Sequence, residues 1–147
     1  MKDSATMTEQ QKIEWLQQYQ RARRGERLAN LALELAREEA TRISPVLDGM
    51  PRKSGHSDRV PRAAEQLAEA ESACADAALI CHRARQAVRQ AIAGVPDADQ
   101  REVLHRRYLL GQTLTAISGQ MLLDYRWVRR LHRRALDILT PQEQPWA

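Results

Sequence analysis

The sequence predicts an all-α protein. A long, coiled-coil-like antiparallel helical hairpin over residues 8–95 is followed by a bundle of three shorter C-terminal helices over 97–140. Three observations point there. Ala, Leu, Arg, Glu and Gln, which lose little side-chain freedom in a helix, recur throughout, and Phe is absent. The six glycines and six prolines bunch at a few places instead of interrupting the periodic stretches. Finally, a seven-residue repeat runs unbroken through the middle of the chain.

The first helix is expected from about Thr8 to Ser44. Ile13, Leu16, Tyr19, Leu28, Leu31, Leu35 and Ile43 supply a broad apolar face, with Ala29, Ala32 and Ala36 beside them. Gly25 is a soft spot, and Pro45 stops the helix by removing a donor and restricting Ser44. "PVLDGMPRKSGHSDRVP" (45–61) reads as a loop, with Asp58 as a cap and Pro61 in the first turn of the next helix.

That second helix is expected from about Val60 to Ala93. Val60, Leu67, Cys74, Cys81 and Val88 recur every seven residues, as do Ala63, Ala70, Ala77, Ala84 and Ala91 three positions on. This is an a/d seam with alanine throughout one position, so a partner helix can approach closely. The first helix is long enough to be that partner. Whether the partner helix lies in the same chain, in a second copy or in both stays open, and a homodimer is the favoured assembly.

"GVP" (94–96) ends the second helix, and Asp97 with Gln100 has capping-box spacing. The third helix is expected over Ala98–Leu110, with Val103, Leu104 and Tyr108 inward and Gly111 as its stop. A fourth falls within 112–121. A fifth runs from Asp124 to about Leu139, before Pro141 and a loose tail.

Charge separates these two parts. Residues 1–100 carry fifteen Lys/Arg and fifteen Asp/Glu, while residues 101–147 carry eight Arg against Glu102, Asp124, Asp137 and Glu143. The whole net charge of +4 therefore lies in the last third, an asymmetry that suits a polyanionic partner. Five arginines fall within "DYRWVRRLHRRAL" (124–136).

The last two helices fit a helix–turn–helix by position. The motif needs a buried aliphatic residue followed by a small one in its first helix, which Ile117 and Ser118 provide, and an apolar plug at the corner, Met121. Val128 and Leu131 face back to the core, with Ala135 and Ile138 continuing that face. Leu122 stands where glycine is usual, and a left-handed backbone there costs a non-glycine residue about 1 kcal/mol. With the core face so placed, the motif sets Tyr125, Arg126, Arg129 and Arg130 near base edges of a major groove and Arg133 and Arg134 near phosphates. Arginine bridges guanine bidentately. Trp127 is expected to pack on the scaffold, and His132, beside the core face, to be structural.

"DQREVLHRRYLLGQTLTAISGQMLLDYRWVRRLHRRALDIL" resembles the fourth region of sigma-70-type factors. It is closer still to small phage-encoded transcriptional regulators of the ArpU/RinA-like group, which share the "MPRKSGHSD" loop (50–58), "VLHRRYLLG" (103–111) and "VRRLHRRAL" (128–136). The likeness runs from about Tyr19 to Leu139. It departs at Leu122 and at Leu114, where an aromatic is frequent. The resemblance implies a sequence-specific regulator of phage or prophage transcription that binds double-stranded DNA and works with host RNA polymerase. Two other readings stay open: a polymerase-binding adaptor without specific DNA readout, and a small DNA-recognition subunit of phage packaging.

Other classes find little support. No glycine-rich phosphate loop, nucleophile motif or paired carboxylates point to an enzyme. No cofactor is expected. Cys74 and Cys81 stand about 10 Å apart along one helix, too far for a disulfide. Without a C-x-x-C pair, they, His82 and His105 do not suggest a metal site. No apolar run is long enough to span a bilayer, and the polar start lacks a signal-peptide core, so a cytoplasmic protein is expected.

Overall fold

A computed structural model describes residues 6–43 and 59–142. The expected loop at 45–58, with the Pro45 stop, the Asp58 cap and the loop motif, lies outside the described residues, as do positions 143–147 of the tail. Every regular element among the described residues is helical: α1 (Glu9–Leu16), α2 (Gln18–Ile43), α3 (Arg59–Ala93), α4 (Ala98–Leu104) continued by a π-helical turn (His105–Leu109), α5 (Leu114–Met121) and α6 (Tyr125–Ile138). No described helix is long and apolar enough to cross a membrane.

Where one helix was expected over 8–44 there are two, broken at Gln17. Backbone bonds from Gln17 N–H to Ile13 O and from Arg21 N–H to Gln17 O keep the two nearly continuous. Thr8 starts α1 through a complete capping box with Gln11, each side chain bonding the other residue's backbone N–H. At α4 only half of the expected box forms. Asp97 accepts from Gln100 N–H at 2.9 Å, while Gln100 Oε1 is buried with no partner.

The third helix also differs from its expectation, because its second half is π-helical. Leu110 N–H bonds His105 O. The wider i→i+5 turn swings Leu109 towards the side held by Leu104 and Tyr108, and all three are buried. Gly111 ends it at φ +73°, in the left-handed region that glycine enters freely. Gln20 Nε2 donates to the carbonyls of Tyr108 (3.0 Å) and Leu109 (3.4 Å), satisfying orphan acceptors there.

The chain forms two compact units, and the division runs through α2 and α3. One unit holds residues 1–22 and 82–147, the other 23–81. In the first, Leu16 packs with Val88, Ala91, Ile92 and Val95 of the α3 end, Leu104, Tyr108 and Leu109, and Ala135, Leu136 and Leu139. Lys12 Nζ donates to Leu136 O at 2.7 Å, placing a cation in the last turn of α6.

In the second unit the heptad positions of α3 turn inward: Ala63 and Cys81 are buried and Leu67, Ala70, Cys74 and Ala77 half-buried, with Val60 at the exposed end. On α2 the half-buried row is Ala29, Leu33, Ala36 and Ala40. The rows meet where Cys74 Sγ donates to Ala29 O at 3.1 Å. The expected inward face of α2 is therefore corrected: Leu28, Leu31 and Leu35 are exposed, and the side turned inward is that of Ala29, Leu33, Ala36 and Ala40, where the small Ala29 lets its carbonyl reach Cys74.

Candidate nucleic-acid interface

α5 and α6 are joined by a three-residue connection, Leu122 to Asp124. Thr113 caps α5 by accepting from Ala116 N–H. Leu122 then takes φ 55° and ψ 42°, and Ser118 O accepts the Leu123 N–H at 3.1 Å, closing the turn. Asp124 occupies the N-cap of α6, although its carboxylate caps no N–H.

Behind the turn, Val103, Ile117, Val128 and Leu131 form a buried cluster, with Leu114, Met121, Leu123 and Trp127 packed against it. Ser118 is half-buried beside Ile117. Further along α6 the buried face differs from the one expected. Ile138 is exposed, and Leu136 is buried with Ala135 in its place. Helical spacing from Leu131 alone favours Ile138; Leu136 and Leu139 are buried because Leu16 and the α3 end pack against that side of α6.

The opposite side of α6 carries the charge. Arg126, Arg129, Arg130 and Arg133 are exposed and line one shallow groove of about 320 Å³. None of the five arginines of α6 forms an ion pair with a described residue. The Arg129 guanidinium lies 6.0 Å from the Tyr125 ring centroid. Arg134 belongs to a different side, with its guanidinium 5.3 Å from the Trp127 ring, which itself rests on the Val103–Ile117 cluster. Of the six residues expected to meet DNA, four arginines with Tyr125 thus share one outward surface, and Arg134 is held apart on Trp127.

One polar pair behind this helix was not read from the sequence. Tyr108 Oη and His132 Nε2 are 2.7 Å apart, and their rings stack at 5.8 Å. Burial, reinforced by the charge of Arg107, lowers the His132 pKa to about 4. Burial likewise pushes the Tyr108 hydroxyl up to about 12, with Arg107 opposing and Glu9 reinforcing the shift. Unfolded, the imidazole takes up a proton near pH 6.5; folded, it does so only near pH 4. The unfolded chain therefore binds more protons in that window, and stability falls as pH drops from 6.5 towards 4. After allowance for partial exposure of His132 the loss is on the order of 2 kcal/mol. Denaturant melts at pH 7 and pH 4.5 check it: His132→Asn should flatten the difference between the two, and an unchanged pH slope would remove His132 as its source.

Leu122 yields another expectation. It is 90% exposed, so removing its side chain loses almost no packing, while its left-handed backbone is strained. Leu122→Gly should raise unfolding stability by about 1 kcal/mol, less the entropy glycine adds to the unfolded chain. A lower midpoint would mean that the turn conformation carries no strain.

Among the described residues no group of three His, Cys, Asp or Glu side chains gathers as a metal site, and Cys74 and Cys81 are free. No known protein family, curated protein or solved structure matches the chain.

Proposed function

We propose that the chain is a sequence-specific, double-stranded-DNA-binding transcriptional regulator, phage or prophage encoded, that acts with host RNA polymerase. In this reading α5 and α6 form a helix–turn–helix with α6 in the major groove. One observation carries it: four arginines that form no ion pair with a described residue line the outward side of α6, opposite the residues that fix that helix to the core. A helix that is merely solvated more often interleaves both signs. Arg126, Arg129 and Arg130, in the first half of α6, are assigned to base edges, and Arg133 to phosphate. The Tyr125 ring beside Arg129 restricts the guanidinium, which favours a defined contact over a roaming charge. Arg134, held on Trp127, is assigned to a flanking phosphate. The polymerase and phage assignments come from the sequence resemblance.

Titration of a labelled duplex across a salt series tests the electrostatic part. Affinity should fall with a log–log slope near −0.9 per phosphate neutralised, and Arg133→Ala should reduce that slope by about 1. A salt-independent affinity, or none, would exclude phosphate engagement by this surface.

A further inference from the structure

The outer side of α2 carries an apolar stripe with no partner in its own unit. Leu28, Leu31 and Leu35 are 67%, 56% and 63% exposed, and their i, i+3, i+7 spacing aligns them along one side of the helix. They lie away from the half-buried Ala29, Leu33, Ala36 and Ala40 that face α3. Three large aliphatic side chains in a row on water are a feature of a covered surface rather than of a free one.

The charges at the two ends of the stripe indicate what covers it. Arg24 stands one turn before Leu28, and Glu38 and Glu39 stand one turn after Leu35. All three are exposed, and none forms an ion pair with a described residue. The stripe is therefore positive at Arg24, apolar in the middle and negative at Glu38 and Glu39, with exposed Arg42 one turn further on. Such a surface is complementary to itself when rotated by a two-fold axis through its centre. Antiparallel superposition about Leu31 sets Leu28 beside Leu35 of a second copy and Arg24 beside the second copy's Glu38 and Glu39. A parallel arrangement sets Arg24 against Arg24 and is disfavoured by like charge.

We propose that this stripe is a homodimer interface, in which the α2 helices of two copies pack antiparallel around Leu31. The interface deepens the DNA-binding reading, because two copies supply two α6 helices for two half-sites, but the pairing itself is measured without DNA.

The test is sedimentation equilibrium of the full chain in the absence of DNA. The wild type should show twice its 16.8 kDa mass at micromolar concentration. Leu31→Asp, at an exposed position, should retain its helical circular dichroism and weaken association about a hundredfold or more, since the axis places the change in the interface twice. Arg24→Glu should weaken it about tenfold, and adding Glu38→Arg with Glu39→Arg to the same chain should restore it. A monomeric wild type overturns the proposal, as does a dimer indifferent to Leu31→Asp. Loss of affinity in Arg24→Glu that the compensating pair fails to restore overturns the antiparallel arrangement. Failure of the DNA-binding reading is distinguishable, because Arg129→Glu/Arg130→Glu should lose DNA and keep the dimer mass.

Discussion

Arg129→Glu combined with Arg130→Glu is expected to weaken duplex binding by at least about a hundredfold, with helical circular dichroism and the thermal midpoint unchanged. Both side chains are exposed and neither forms an ion pair with a described residue, so the folded state loses only the exposed Arg129–Tyr125 contact, and surface changes of this kind usually stay within about 0.5 kcal/mol. The effect on DNA is large because the substitution turns attraction into repulsion at two points of one groove that four arginines line. Arg129→Ala alone should cost about 1–3 kcal/mol and relax base preference at a single position, the mark of a base contact rather than of bulk charge. Arg134→Ala should act differently, lowering affinity for all sequences alike, since Trp127 holds that guanidinium away from the groove. Retained binding by the double variant would remove α6 as the reading surface.

The second large effect lies at the other end of the chain. Leu16→Ala should destabilise the first compact unit by about 3 kcal/mol, within the 2–5 kcal/mol usual for a large side chain truncated in a packed core. Leu16 is fully buried among residues of α3, α4 and α6, and Lys12 of the same helix bonds the α6 backbone. For the same reason a fragment of residues 97–140 should not fold by itself. It would expose the faces of Leu104, Tyr108, Ala135, Leu136 and Leu139 that Leu16, Val88, Ala91, Ile92 and Val95 cover. Adding back residues 82–96 alone should not be enough, because Leu16 is still missing. A cooperative thermal transition in the 97–140 fragment would contradict this account, and thermal melts of the fragment and of Leu16→Ala measure both halves of it.

Much of this architecture was legible in the sequence where one physical rule acts alone. The heptad of α3 is such a case: ten positions at fixed spacing leave little choice of face, and the structure turns inward all but Val60 at its end. The left-handed Leu122 is another, since a short connection between two helices requires a reversal at that point. What was not legible depends on partners distant in sequence. Leu28, Leu31 and Leu35 look like core residues by spacing alone, but the side of α2 turned inward is that of Ala29, Leu33, Ala36 and Ala40, a choice made by α3 and not by the local pattern. Ile138 and Leu136 exchange roles because the α6 core face is set partly by Leu16, more than a hundred residues earlier. The Tyr108–His132 pair spans 24 residues, and neither residue's local pattern names the other. The arginine groove is legible for the opposite reason: its members lie on one helix, and helical spacing alone puts them on one side.

The central claim, that the outward side of α6 reads a DNA sequence, is tested most directly by binding the purified full chain to a random duplex pool at low and at higher salt and sequencing the bound fraction. The expected result is an enriched motif that persists at the higher salt and is lost in Arg129→Glu/Arg130→Glu. Motif-free binding that disappears with salt would be counterion release alone and would contradict it.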